Sequence, residues 1–272
     1  CFRLYGAEVI SAPVDGEGVQ PDALERLIVE HRPKLVYLIP TFGNPIGATL
    51  SLERRKRVLE LAARHQVLVV EDDPYGDLYF GAEPPPSLLA LSHQVPGSRE
   101  WLLHCGSLSK VLSPGLRVGW LIAPPGLLQR ATMCKQFSDA HTSTFAQATA
   151  ARYLQSGRMP ATLQQVRKVY AMRAHAMASA LRQHMGDGLS FQNPVGGLFI
   201  WATLTGKTGH TTDGALLARL AIEKGVAFVP GAPFFANNPD LRTIRLSFAT
   251  ADESKINQGI ERLGQAMAQS KA

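Results

Sequence analysis

Three stretches of this 272-residue chain carry chemically capable residues just after β-like segments. Segment 34–39 runs into Pro40-Thr41-Phe42-Gly43-Asn44-Pro45-Ile46-Gly47. Segment 67–70 ends in Glu71-Asp72-Asp73-Pro74-Tyr75-Gly76. Segment 101–105 leads into Gly106-Ser107-Leu108-Ser109-Lys110 and then Val111-Leu112-Ser113-Pro114-Gly115-Leu116-Arg117. In open α/β sheets, ligands bind beyond the carboxyl ends of the parallel strands, so these loops are expected at one edge. They bring an amine (Lys110), a carboxylate (Asp72), a phenol (Tyr75), an amide (Asn44), two hydroxyls (Ser107, Ser109) and a guanidinium (Arg117). A lysine amine can hold a carbonyl compound covalently, and a carboxylate can keep a ring nitrogen protonated. Hydroxyls, backbone N–H groups and an arginine fork suit a phosphate.

That set matches the needs of pyridoxal 5'-phosphate (PLP), whose aldehyde, ring nitrogen, phosphate and ring oxygen each require one of these groups. Plainer readings compete at every position. An Asp at a strand end often makes a turn, and Asp73 is expected to do so. Asn44 before Pro45 suits a plain turn, Tyr75 could be a core aromatic, and the two serines could be ordinary loop residues. Spacing favours the functional reading: Asp72 precedes Tyr75 by three, and Arg117 follows Lys110 by seven. Further on, Arg245 lies in the alternating run Thr243-Ile244-Arg245-Leu246-Ser247-Phe248, sharing a face with Thr243 and Ser247. Nearby Arg242 is expected to be solvated.

The elements that must position these residues alternate regularly in the first half. Residues 8–13 read as a strand and 15–18 as a turn. Pro21 opens a helix over 22–31, with Leu24, Leu27 and Ile28 on one face. Ser51 caps a second helix, with Arg54, Arg55, Lys56 and Arg57 expected on its wet side and Leu52, Leu59 and Leu61 on its buried side. Such βαβ alternation predicts a mainly parallel sheet with right-handed crossovers and helices on both faces. The link after Lys110 is too short for a crossover helix, so strand 118–123 should run antiparallel and return Arg117 to the edge of Lys110. Residues 82–86 form a proline-rich surface loop. The second half reads as a smaller α+β domain: a helix over 161–185, strands at 197–204, 226–229 and 243–248, and helices at 212–223 and 252–268. The division expected is a large domain at 1–157, incomplete at its N-terminus, and a small domain at 158–272.

Composition excludes little but is consistent. Hydrophobic residues make up 45% and charged residues 18%, an ordinary globular balance. The longest apolar runs are strand-sized, so no membrane partner is expected. The net charge of +6 is scattered and does not interleave with aromatics, so no nucleic-acid partner is expected through this segment. Cys1, Cys105 and Cys134 show no ligand spacing and read as reduced thiols of a cytoplasmic protein. The eight histidines show no metal-ligand spacing, and His141 reads as an ordinary helix residue. The chain opens on Cys1 without an initiator Met, so an N-terminal portion is expected to be missing.

The sequence resembles the fold-type I, class I/II PLP-dependent aminotransferases, nearest to the 2-aminoadipate, kynurenine and aromatic aminotransferases. The resemblance rests on the Asn-Pro-x-Gly loop within 40–47, the Asp-x-x-Tyr element at 72–75, the Ser-x-Ser-Lys…Pro-Gly-x-Arg-x-Gly segment from 107, and the Arg-Leu-x-Phe strand at 245–248. It covers essentially the whole chain. It implies that Lys110 forms the Schiff base with PLP and shuttles the α-proton, that Asp72 pairs with the pyridinium nitrogen, and that Tyr75 and Asn44 hydrogen-bond the ring oxygen. Ser107, Ser109 and Arg117 would hold the phosphate, and Arg245 would clamp the substrate carboxylate. It also implies a homodimer, and an upstream segment with a Gly-rich phosphate turn and a stacking aromatic that this stretch lacks, so that the 272 residues alone should bind PLP weakly.

The expected activity is transfer of an amino group between an L-amino acid and a 2-oxo acid. An alternative is the aminotransferase-like effector domain of a winged helix-turn-helix (GntR/MocR-type) regulator, which would keep the same lysine segment and arginine. A β-lyase or decarboxylase ranks third, because an arginine that retains the carboxylate favours chemistry at the Cα–H bond.

Overall fold

A computed structural model describes residues 2–206, 209 and 212–270. Cys1 lies outside the described residues. The chain forms two compact units, one of residues 12–43 and 48–167, the other of residues 1–11, 44–47 and 168–272. This grouping differs from a division at 157/158. The boundary at 167/168 falls inside the helix Met159–Met185, whereas 157/158 lies in the turn before it, and the short segment 44–47 groups with the C-terminal residues.

The unit of residues 12–43 and 48–167 starts with a two-stranded hairpin, β1 (Val14–Asp15) and β2 (Gly18–Val19). Its turn is locked where Asp15 Oδ1 accepts the Glu17 N–H at 2.8 Å. Residues 8–13, expected as a strand, are irregular and join the hairpin where Pro13 O accepts the Gln20 N–H at 3.0 Å. Helix α1 (Pro21–His31) has Pro at its start and buries Ala23, Leu24 and Ile28. Then come β3 (Leu35–Leu38), α2 (Leu52–His65) and β4 (Leu68–Asp73). After the short α3 (Leu88–Leu91) follow β5 (Leu102–Ser107) and β6 (Gly119–Ile122). The sheet order is β3-β4-β5-β6. The first two pairings are parallel and β6 runs antiparallel to β5, with Ser107 opposite Gly119. That is the reversal expected from the short link after Lys110.

The core of this unit lies between α1, α2 and the sheet, where Leu24, Ile28, Val36, Val58, Leu59, Ala62, Val69 and Leu102 pack together. Two expectations for α2 fail. Leu52 is exposed and Arg55 is fully buried. Leu52 sits at the first helical position, at the edge of the apolar stripe. Arg55 falls within that stripe, three residues before Val58 and four before Leu59. Its charge is tolerated because its donors are used. Nε bonds Leu50 O at 3.0 Å, Nη2 bonds Pro40 O at 3.0 Å and Thr41 Oγ1 at 2.7 Å, and Nη1 bonds Pro86 O at 3.3 Å. Arg55→Met should therefore destabilise the fold by on the order of 3 kcal/mol, because buried carbonyls would lose their donors. Urea unfolding measures this, and a loss under about 1 kcal/mol would show that water replaces the guanidinium.

Two further helices in this unit, α4 (Pro125–Asp139) and α5 (Thr144–Gln155), escaped the sequence reading. Neither has a strong apolar stripe: α4 buries no residue and α5 only Ala146 and Ala150. His141 lies in the bend between them rather than inside a helix.

The other unit contains an antiparallel sheet of β7 (Leu189–Phe191), β8 (Phe199–Leu204), β9 (Val229–Pro230) and β10 (Thr243–Ser247), in the order β7-β8-β10-β9. Of the expected strand 226–229, only its last residue is in β9. Helix α6 (Met159–Met185) precedes this sheet, while α7 (Gly214–Glu223) and α8 (Glu253–Gln269) accompany it. The last two are capped by Asp213 and Asp252, whose side chains accept from Leu216 N and Lys255 N. Ile200, Ala202, Leu204, Leu217, Ile244, Leu246 and Leu263 are among its buried residues. Among the described residues, no helix is long and apolar enough to cross a membrane.

Candidate active site

At the carboxyl edge of the parallel sheet, β4 and β5 end in register, with Asp72 opposite Cys105 and Asp73 opposite Gly106. Paired residues send their side chains to the same face, so Asp72, Cys105 and, by alternation, Ser107 share one face. Lys110 follows in an exposed turn three residues beyond the end of β5. Arg117, returning at the start of β6, reaches back to this turn. Its Nη1 donates to Ser109 Oγ at 3.4 Å and to Pro114 O at 3.3 Å, and the Ser109 N–H donates to Ser107 Oγ at 3.1 Å. Arg117 is held in the left-handed region at φ 54°, uncommon for a residue with a Cβ. Two hydroxyls and a guanidinium, linked by hydrogen bonds beside a lysine, form a donor set suited to a phosphate monoester. These residues fit PLP by the chemistry of their donors.

The three consecutive acids of β4 divide between the two faces of the sheet. Glu71 is fully buried and accepts the N–H groups of Leu88 at 2.6 Å and Leu89 at 3.0 Å. It also contacts His104 Nδ1 at 2.8 Å. Burial alone would lower the His104 pKa, but the Glu71 contact and the nearby carboxylates outweigh it and the net shift is upward. Asp73 makes the expected Asx turn, accepting the Gly76 N–H at 3.0 Å. Burial pushes its carboxyl pKa up, and the charge of Glu71 adds to that. Asp72 is on the other face and accepts from the Tyr37 hydroxyl at 2.5 Å. Tyr75 is buried.

Asn44 and Arg245 form a second group, within the unit that contains 44–47 and 168–272. Arg245 is in β10 between β8 and β9, and its Nη1 donates to Asn44 Oδ1 at 2.7 Å. Its guanidinium lies 4.2 Å from the ring centroid of Phe199 and 4.8 Å from that of Phe234. Trp201 packs against Phe234 at 5.8 Å, nearly perpendicular. Aromatic faces of this kind hold a guanidinium plane by cation–π attraction. Arg242, by contrast, is exposed and pairs with Asp240.

The sequence reading missed Tyr37, the Glu71–His104 pair and the aromatic support of Arg245. The parallel register of β3 on β4 is the signal for Tyr37, which pairs with Val70, two residues before Asp72. The hydrophobic alternation of β8 gave no hint that Phe199 would stack on a cation.

Residues 1–263 match the family model of aminotransferase class I and II. The chain is 42% identical over 268 residues to a 2-aminoadipate transaminase of Thermus thermophilus, covering 98% of this chain and 65% of the relative. It is 38% identical over 269 residues to an aromatic-amino-acid aminotransferase 1 of Thermococcus litoralis, covering 97% of this chain and 62% of that protein. It thus spans just under two thirds of the length of these curated relatives. Among solved structures, the α-aminoadipate aminotransferase LysN of Thermus thermophilus, complexed with N-(5'-phosphopyridoxyl)-L-leucine, superposes with a TM-score of 0.91 at 40% identity, covering 99% of this chain and 67% of that one.

Proposed function

The chain belongs to aminotransferase class I and II, and on that premise we propose that the full-length protein is a PLP-dependent transaminase. It would move an amino group between an L-amino acid and a 2-oxo acid. The observation that carries this reading is the edge formed by β4 and β5. There, Ser107, Ser109 and Arg117 are linked by hydrogen bonds beside Lys110, and Asp72 is the last residue but one of the neighbouring strand. When bound, PLP supplies an electrophilic aldehyde and an electron-accepting ring.

The residues then act as follows. Lys110 Nζ would hold the cofactor and, once freed by substrate, would accept and return the substrate α-proton. The Asp72 carboxylate would pair with the ring nitrogen and keep its proton in place by charge. Tyr75 and Asn44 would each be a donor for the ring oxygen, and Ser107, Ser109 and Arg117 would bind the phosphate. Arg245 clamps the substrate carboxylate, and its planar fork suits two parallel N–H···O bonds. The relatives at 38–42% identity bear aminotransferase names, which favours the enzyme over the regulator reading. The full-length protein is read as a cytoplasmic homodimer. Helix α4 supports that assembly with exposed Leu128, Met133 and Phe137.

The test is an amino-donor panel with 2-oxoglutarate and pyruvate on the full-length protein. Formation of a new amino acid from either oxo acid is the expected result, and PLP binding without transfer from any donor would favour a sensing role. In the same assay Arg245→Lys should raise KM for both amino acid and oxo acid about tenfold or more. The charge survives but one charge-assisted hydrogen bond, worth about 1.5–3 kcal/mol, does not. Unchanged KM values for both substrates would refute the clamp.

A further inference from the structure

We infer that Tyr37 is a positioning residue for Asp72, its phenol anchoring one carboxylate oxygen so that the other is presented to a protonated ring nitrogen. This inference rests on the cofactor reading above.

The geometry comes from the sheet. Tyr37 pairs in parallel register with Val70, so its side chain shares a face with Val70 and, two residues on, with Asp72. A tyrosine is long enough to reach a diagonal neighbour on the next strand. The hydroxyl donates to Asp72 Oδ2 at 2.5 Å. Glu71 and Asp73 are engaged on the opposite face, with α3 and His104 and with the Gly76 N–H. Asp72 is therefore the acid that Tyr37 addresses.

A lone carboxylate on a strand end can rotate about its terminal torsion, which has broad minima. A donor fixed on the neighbouring strand removes that freedom for one oxygen and so fixes the direction of the other. Tyr37 also keeps its proton under working conditions. Desolvation, and then the hydrogen bond and charge of Asp72, hold its ionisation well above the ordinary phenol range. A phenylalanine would fill the same space and make the same β contacts, so the hydroxyl is the part with a function to explain.

The experiment uses the full-length holoenzyme with PLP labelled with 15N in the ring. Tyr37→Phe is made both in the wild-type protein and in the Asp72→Asn background. Two readouts are taken: the 15N shift of the ring nitrogen, and the single-turnover rate at saturating amino acid. In the wild-type background Tyr37→Phe should move the 15N signal part-way toward the unprotonated position and slow turnover about tenfold, as expected when a charged group loses one hydrogen bond. In the Asp72→Asn background the same change should alter either readout less than about twofold, because two residues acting through one contact are not additive. Equal effects in both backgrounds, or no effect in the wild type, would overturn the inference. Lys110→Ala serves as the control for the underlying reading. A borohydride-reducible chromophore that survives it removes the assignment of Lys110 as the residue that holds the cofactor, whatever Tyr37 does.

Discussion

Lys110→Ala in the full-length protein should eliminate the borohydride-reducible chromophore and lower transamination by about three orders of magnitude or more, a loss typical of removing the group that carries the covalent step. The fold should be untouched. Lys110 sits in an exposed turn after β5, and surface changes away from special features usually stay within about 0.5 kcal/mol. Absorbance before and after borohydride, run beside thermal unfolding, checks both halves of the expectation. Non-covalent PLP should persist in the variant at reduced affinity, since Ser107, Ser109 and Arg117 remain. A visible reducible adduct in Lys110→Ala would mean that another amine does the chemistry.

Much of the geometry of this sheet edge was legible because its local chemistry and its topology point the same way. Turn-rich sequence after short β-branched strands located the sheet edge, and the brevity of the link from Lys110 to β6 fixed its antiparallel sense. That sense is what brings Arg117 back to Ser109. The Asx turn at Asp73 was legible for a similar reason, because a short polar side chain two or three residues before a glycine has a backbone N–H to accept.

What was not legible depends on partners distant in sequence. Arg55 reads as one more cation in a run of four, and its burial is tolerable through acceptors distant from it, the carbonyls of Pro40, Leu50 and Pro86 and the Thr41 hydroxyl. Residues 8–13 read as a strand, yet they form none in the fold. Helices α4 and α5 lack the apolar stripe on which periodicity depends, so propensity alone would have had to reveal them. Tyr37 lies within the β-like run 34–39 and carries no signal of its own there. Its meaning appears only when β3 and β4 are laid in register.

The two neighbouring acids offer the sharpest test of that register. Asp72→Asn should lower the transamination rate about a hundredfold to a thousandfold, the cost of losing one well-placed electrostatic group at a developing charge. Bound PLP should fall far less, since the amide keeps the shape and the phosphate contacts are intact. Asp73→Asn should leave the rate nearly unchanged. Its carboxylate faces the other side of the sheet and accepts only the Gly76 N–H among its described hydrogen bonds, which an amide oxygen can also accept. The sign of its stability effect follows from its raised pKa, caused first by burial and then by the charge of Glu71. A carboxyl whose folded pKa lies above its unfolded value contributes most at low pH, and that contribution is lost as pH rises through the folded pKa. At neutral pH, replacing it with a neutral amide should therefore hold or raise the melting temperature. Rate, PLP content and melting temperature measured for both variants decide the matter. A damaging Asp73→Asn beside a harmless Asp72→Asn would mean that the wrong face of β4 has been assigned to the cofactor, and the inference for Tyr37 would fall with it.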